Sequence, residues 1–175
     1  QELLKQPGIA SVSASNQNPL SVGSSTTDPT SEGKDPENDV LFHIINPNYD
    51  FVETMKMELV AGRTWSRQFG ADSAGYIINE ETAKGMGKEN PVGEKLDFWG
   101  RPGQVIGVVK NFHMQSLESR IEPTILRLEP GESWRLWVRT EEGKTKEGIA
   151  NLEAVYKQFT DYPFEYEFLD KEYEE

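Results

Sequence analysis

The period of apolar and polar residues changes along the chain, and those changes predict its elements. Ile9, Ser11, Ser13 and Ser15 alternate with Ala10, Val12 and Ala14, a period of two that predicts a strand with one modestly apolar face. From Asn16 to Asn38 the pattern dissolves into Ser, Thr, Gly, Pro, Asp and Asn. That composition predicts a long polar connector with a short edge strand near Leu20-Ser21-Val22. Val40, Phe42 and Ile44 lie opposite Leu41, His43 and Ile45, so Asp39 to Ile45 is apolar on both sides, as a central strand is. Asn46-Pro47 ends it, and a short helix is expected from Tyr49 to Met55 with Asn46 or Asn48 as its cap. Glu58 to Gly62 follows as a short strand, and Arg63-Thr64-Trp65 opens a loop or single helical turn reaching Gly70.

Tyr76 to His113 organises the rest. Tyr76-Ile77-Ile78 has the composition of a strand, and Glu80 to Met86 carries helix formers. Gly85, Gly87 and Asn90-Pro91 end that helix by freeing the backbone and removing a donor. Lys95 to Phe98 and Gln104 to Val109 flank Trp99-Gly100-Arg101-Pro102-Gly103, a loop suited to a hairpin. Phe112 to Arg120 reads as irregular or briefly helical. Pro123 to Leu128 and Trp134 to Thr140 are strands around a Glu129-Pro130-Gly131-Glu132 turn, with Trp134, Leu136 and Val138 expected in the core.

The strongest helix is Thr145 to Phe159, where Ile149, Leu152, Tyr156 and Phe159 form one apolar stripe. Thr145 can cap it, although Gly148 stands where a capping-box Glu would sit. Phe164, Tyr166 and Phe168 then alternate with Glu165 and Glu167, predicting a strand with an aromatic face, and Asp170 to Glu175 begins a further helix. The sum is an α+β protein.

A chain of 175 residues fits one domain or two small lobes sharing a core. With 30 acidic against 18 basic residues its net charge is −12, which disfavours nucleic acid and anionic lipid because both would be repelled. There is no cysteine, so disulfides, thiol nucleophiles and Cys-based zinc sites are excluded. No apolar run approaches the ~20 residues that span a bilayer. The chain opens at Gln1, and Glu2-Leu3-Leu4-Lys5-Gln6 resembles the tail of an amphipathic helix already under way, so an excised piece of a longer polypeptide is expected.

Residue chemistry offers little more. Gly85-Met86-Gly87 meets Asn90 where a dinucleotide fingerprint needs Gly, and no phosphate-binding G-x-x-x-x-G-K-[ST] loop occurs. His43 and His113 sit in different elements without an i, i+4 partner, which argues for structural or surface histidines. There is no G-x-S-x-G elbow, and the serines cluster in the polar connector. Asp35, Glu37 and Asp39 lack the Gly turn and distal Glu of a calcium loop. No catalytic, cofactor or metal residues are therefore expected. The hairpin tip is the candidate partner surface: Phe98, Trp99 and Arg101 are either folded back onto the domain or presented to a partner.

Several phrases nevertheless resemble the extracytoplasmic domain of MacB/FtsX-type ABC transporter permeases, in the form common in Bacteroidetes. They are Tyr49 to Thr54 with Met57 to Trp65; Ile77 to Ala83; Met86-Gly87 with Glu89 to Gly93; Val105 to His113; Glu122-Pro123; and Pro163 to Asp170. The resemblance implies an α+β ectodomain of two lobes, tethered on the periplasmic side of the inner membrane by transmembrane helices absent from this chain. Residues 1–21 plus 134–175 would form a membrane-proximal lobe and 38–131 an inserted β-rich lobe, with 22–37 as the polar loop between them. The family's ectodomain normally begins with a strand and helix that this chain lacks in large part.

As partners the resemblance implies a cytoplasmic ABC ATPase acting through the membrane helices and a second ectodomain, with an envelope adaptor or lipoprotein beyond. The implied function is non-catalytic transmission of ATP-driven conformational change, with rigid-body motion between packed lobes. Two alternatives stand beside it: a module that binds peptide or lipid in an apolar groove of roughly 300 Å³ or more, and an unrelated soluble α+β interaction domain.

Overall fold

The computed structural model describes residues 2–18, 41–70, 72–112, 121–131 and 133–169, with the backbone of 25–26 and 30–31. After a 3-10 turn at Leu3–Lys5 the chain runs β1 (Ile9–Ser15), β2 (Ser25–Thr26), β3 (Thr30–Ser31), β4 (Phe42–Ile45), α1 (Phe51–Thr54) and β5 (Leu59–Gly62). A second 3-10 turn at Asp72–Ala74 leads into β6 (Gly75–Asn79), α2 (Glu80–Gly85), β7 (Lys95–Phe98) and β8 (Arg101–Val109). Then come β9 (Thr124–Arg127), β10 (Arg135–Thr140) and α3 (Thr145–Tyr156). The class is α+β.

Two sheets organise these elements. The larger has eight strands in the order β2-β4-β9-β6-β8-β7-β3, with β5 pairing beside β8. It is mixed: β4 runs parallel to β9 and β6 to β8, and the other pairs are antiparallel. All five residues of β6 are buried, because β6 has core on both faces. Ile77 packs on one side with Ile45, Phe51, Trp65, Val109 and Leu126. Tyr76 and Ile78 point the other way, among Phe42, Ile44, Phe98, Val108 and Ile125. Each such side chain contributes about 1.5–3 kcal/mol of burial, so this sheet holds most of the fold's stability.

The smaller sheet is the antiparallel pair β1–β10, with Val12 opposite Val138, Ser13 opposite Trp137 and Ala14 opposite Leu136. Its period-two pattern is as expected, but its faces are reversed. Ser13 and Ser15 are buried, while Leu136 is 53% and Trp134 84% exposed. Trp134 and Leu136 are therefore surface residues and not core.

Several elements depart from the sequence reading. The polar connector carries β2 and β3, which pair with β4 and β7. The hairpin loop contracts to Trp99-Gly100, because Arg101 and Pro102 pair with Phe98 and Asp97. Both turn residues have positive φ, 51° and 68°, the type I′ geometry whose twist matches the flanking strands. Helix α1 starts after Asp50, which takes a left-handed φ of 65° and makes no side-chain cap. Helix α3 ends at Tyr156, and Thr145 lies inside it after an uncapped Lys144. Residues 163–168 form no strand, although their alternation predicts one. The expected strand at Leu20-Ser21-Val22, the acidic trio Asp35, Glu37 and Asp39, His113 and the helix at Asp170–Glu175 lie outside the described residues.

Candidate functional site: the joint between the two sheets

Several of the phrases that carry the family resemblance meet in the large sheet, held by a few side chains. Asn79 ends β6 and caps α2: its Oδ1 accepts from the Thr82 N–H (3.0 Å) and from the Thr124 N–H of β9 (3.0 Å). Its amide nitrogen donates to the Glu122 carbonyl (2.9 Å), so one buried side chain ties three elements. Glu80 and Asn111 exchange bonds in the same way. The Asn111 N–H donates to Glu80 Oε2 and the Glu81 N–H to Asn111 Oδ1, both at 2.9 Å.

Arg63 and Trp65 fix the strand-to-turn passage after β5. Gly62, at φ 73°, passes so close to the Ile106 carbonyl that a Cβ would sit 2.1 Å from its oxygen. Arg63 then grips Asp72 with both terminal nitrogens (2.9 and 2.7 Å), and the Ser66 N–H adds a third bond at 2.6 Å. The Arg63 guanidinium beside Asp72 holds that buried carboxyl below the usual carboxylate range; burial opposes the shift and the Ser66 N–H reinforces it. The Trp65 indole donates to the Gly75 carbonyl at 2.8 Å.

The sequence reading did not find the joint between the two sheets. Ser13 Oγ donates to the Tyr49 carbonyl (2.8 Å), and the Asn48 N–H donates to the Ala14 carbonyl (2.7 Å). The Asn16 N–H reaches the Asn46 carbonyl while Asn16 Oδ1 accepts from the Asn46 N–H, both at 3.1 Å. From the other strand, the Trp137 indole donates to Ser15 Oγ (2.8 Å) and Arg139 Nε to the Thr54 carbonyl (2.7 Å). Trp137 also packs against the core around Phe51 and Ile77. Ser13 and Ser15 are buried because they face this joint. Their alternation was visible, but the partners lie 36 and 122 residues away.

The predicted partner surface divides. Phe98 is fully buried, so it is core and not surface. Trp99 is 53% exposed and stacks on it with centroids 4.5 Å apart. Arg101 points to solvent with its guanidinium on Glu129 at 2.5 Å. His43 is buried beside the Glu122 carboxylate in the large sheet. Among the described residues no group of His, Asp or Glu is arranged to hold a metal ion. A groove of about 350 Å³ lies where β5 and β7 diverge beside β8. It is lined by Gly62, Arg63, Val92, Gly93, Gln104, Val105 and Ile106, so its walls mix glycine backbone and polar groups with a few apolar side chains.

Comparison with known proteins identifies the relatives. Residues 1–153 match the family described as the MacB-like periplasmic core domain. The chain belongs to that family. It is an extracytoplasmic domain of an ABC transporter permease. Its fold is shared with the periplasmic region of MacB from Actinobacillus actinomycetemcomitans, at TM-score 0.64 and 19% identity over 90% of this chain and 70% of that one. The extracellular domain of the noncanonic ABC-type transporter YknZ from Gram-positive bacteria gives 0.59 and 20%, over 89% and 81%. A domain of a putative permease protein from Porphyromonas gingivalis gives 0.57 and 18%, over 95% and 82%. No curated protein sequence matches the chain. No helix among the described residues is long and apolar enough to cross a membrane.

Proposed function

We propose that this MacB-like domain is a mechanical transmitter: it performs no chemistry of its own and passes ATP-driven displacement from the membrane to partners in the envelope. The observation that carries this reading is the hydrogen-bonded joint between the two sheets, with Trp137 packed into it. A displacement applied at the chain ends acts first on β1 and β10, and Ser13, Ser15, Trp137 and Arg139 hand it directly to α1 and the large sheet. The force enters through transmembrane helices driven by a cytoplasmic ATPase, and a second ectodomain or an envelope adaptor receives it. The two lobes of this account are the chain-end sheet with α3, and the large sheet that β1 and β10 bracket.

The test is to loosen the joint in the whole permease with its ATPase, using Ser15→Ala together with Arg139→Leu. Transport is expected to fall several-fold while ATP hydrolysis continues. Unchanged transport with a demonstrably loosened joint would refute the reading. The groove between β5 and β7 supports a second reading, in which it captures an extended peptide. In that case Val92→Trp, which fills the groove, would abolish transport while leaving the joint intact.

A further inference from the structure

Helix α1 stands between the joint and a second set of contacts that the transmitter reading does not use. A helix of four residues does not hold itself, and the residues flanking it, Asp50 and Lys56, take left-handed φ of 65° and 54°. Asp50 directly precedes the first helical residue, where an aspartate ordinarily accepts from a free N–H of the first turn. Its carboxylate makes no such cap. It is bound instead by the segment that joins β5 to β6.

That segment, residues 63–72, grips α1 and its entry. Arg67 holds Asp50 with both terminal nitrogens, at 3.1 and 2.7 Å, and its guanidinium lies over the Tyr49 ring, 4.6 Å from the centroid. Thr64 Oγ1 donates to Glu53 Oε1 at 2.6 Å. The segment is itself fastened to the large sheet, by Arg63 and the Ser66 N–H on Asp72 and by the Trp65 indole on the Gly75 carbonyl. Helix α1 is thus held on one side by β1 and β10, and on the other by a strap rooted in β5 and β6.

We propose that Arg67 is a positioning residue for the joint. By fixing the Asp50 carboxylate and covering Tyr49, it sets the place of the Tyr49 carbonyl and the Asn48 N–H. Those are the groups that β1 meets, through the Ser13 hydroxyl at 2.8 Å and the Ala14 carbonyl at 2.7 Å. Tyr49 therefore carries the link in a single residue, with its ring under Arg67 and its carbonyl on Ser13. Arg67 and Asp50 are 57% and 43% exposed, and an exposed pair adds little to global stability. Its effect is local: it selects one position of α1. A forked guanidinium on a carboxylate fixes orientation as well as distance, which the ammonium of a lysine does not.

The inference deepens the transmitter reading and rests on it only for the effect on transport; the positioning itself is tested by amide exchange on this chain. Two variants break the pair: Arg67→Ala, and Asp50→Asn, in which asparagine tolerates the left-handed φ. In both, the Asn48 amide is expected to exchange at least about tenfold faster while the β6 amides keep their rates. Arg67→Lys should recover only part of the protection. An Asn48 amide unchanged in either variant would overturn the proposal, and so would equal acceleration in β6, because Arg67 would then support the whole fold. Full recovery in Arg67→Lys would overturn the role given to the fork. In the whole permease with its ATPase, Arg67→Ala should lower transport several-fold while ATP hydrolysis continues. A freed Asn48 amide with unchanged transport would uphold Arg67 as a positioning residue and refute the transmitter reading instead.

Discussion

The two sheets use opposite solutions to the same problem. The large sheet buries apolar residues on both faces and meets its polar needs through a few shared side chains such as Asn79. The small sheet turns its serines inward, where Ser13 and Ser15 are bonded, and leaves Leu136 and Trp134 outside. One is stabilised by burial and the other by a specific set of hydrogen bonds. A scaffold that must keep its shape benefits from the first, and a directional coupling from the second, because hydrogen bonds fix register as well as distance.

That contrast orders the expected effects of substitution. Ile77→Ala removes a fully buried side chain from β6 and should cost about 2–5 kcal/mol in denaturant unfolding. Breaking the clamp behind β5 comes next. Asp72→Asn loses charge-assisted bonds to a partly exposed Arg63, so about 1–2 kcal/mol is expected after allowing for solvent screening. Its pH dependence has a definite sign. The carboxyl titrates lower in the folded chain than when unfolded, so the stabilisation is complete above the unfolded value of about 4 and drains away as pH falls through the folded value. The difference between wild type and Asp72→Asn should therefore shrink in acid; a constant difference would show that the pair is not ionised as described. Leu136→Ala should change the stability of this chain by no more than about 0.5 kcal/mol, although the residue is a large apolar one in mid-strand. If it costs as much as Ile77→Ala, the contrast between the sheets is wrong.

The large sheet was largely legible in the sequence because its signal is local. Apolar runs such as Tyr76-Ile77-Ile78, and the Gly and Pro punctuation around them, report burial residue by residue. The reversed face of β1–β10 was not legible, since alternation reveals a period but not which side faces in. The choice was made by Trp137 and Tyr49, distant in sequence. The alternation of Phe164, Tyr166 and Phe168 with Glu165 and Glu167 misled, because those aromatic rings stack on one another and on Tyr156 of α3 and form no strand. Trp99 at a left-handed turn position is hidden for another reason: type I′ turns favour Asn or Gly there, so a Trp carries no turn signal. The site was the least visible part, because a joint made of serine hydroxyls and backbone carbonyls leaves no motif.

If the joint transmits force, the two sheets stay fixed on each other and the domain moves as one body under load, instead of one lobe turning against the other as the family resemblance implies. This domain has no cysteine of its own, so spin labels can be placed on K84C in the large-sheet unit and K146C on α3, and their separation measured with and without ATP in a whole permease from which any other cysteines have been removed. The intradomain distance is expected to stay fixed while the distance between neighbouring ectodomains changes. A nucleotide-dependent change within the domain, or no change between domains, would contradict the account.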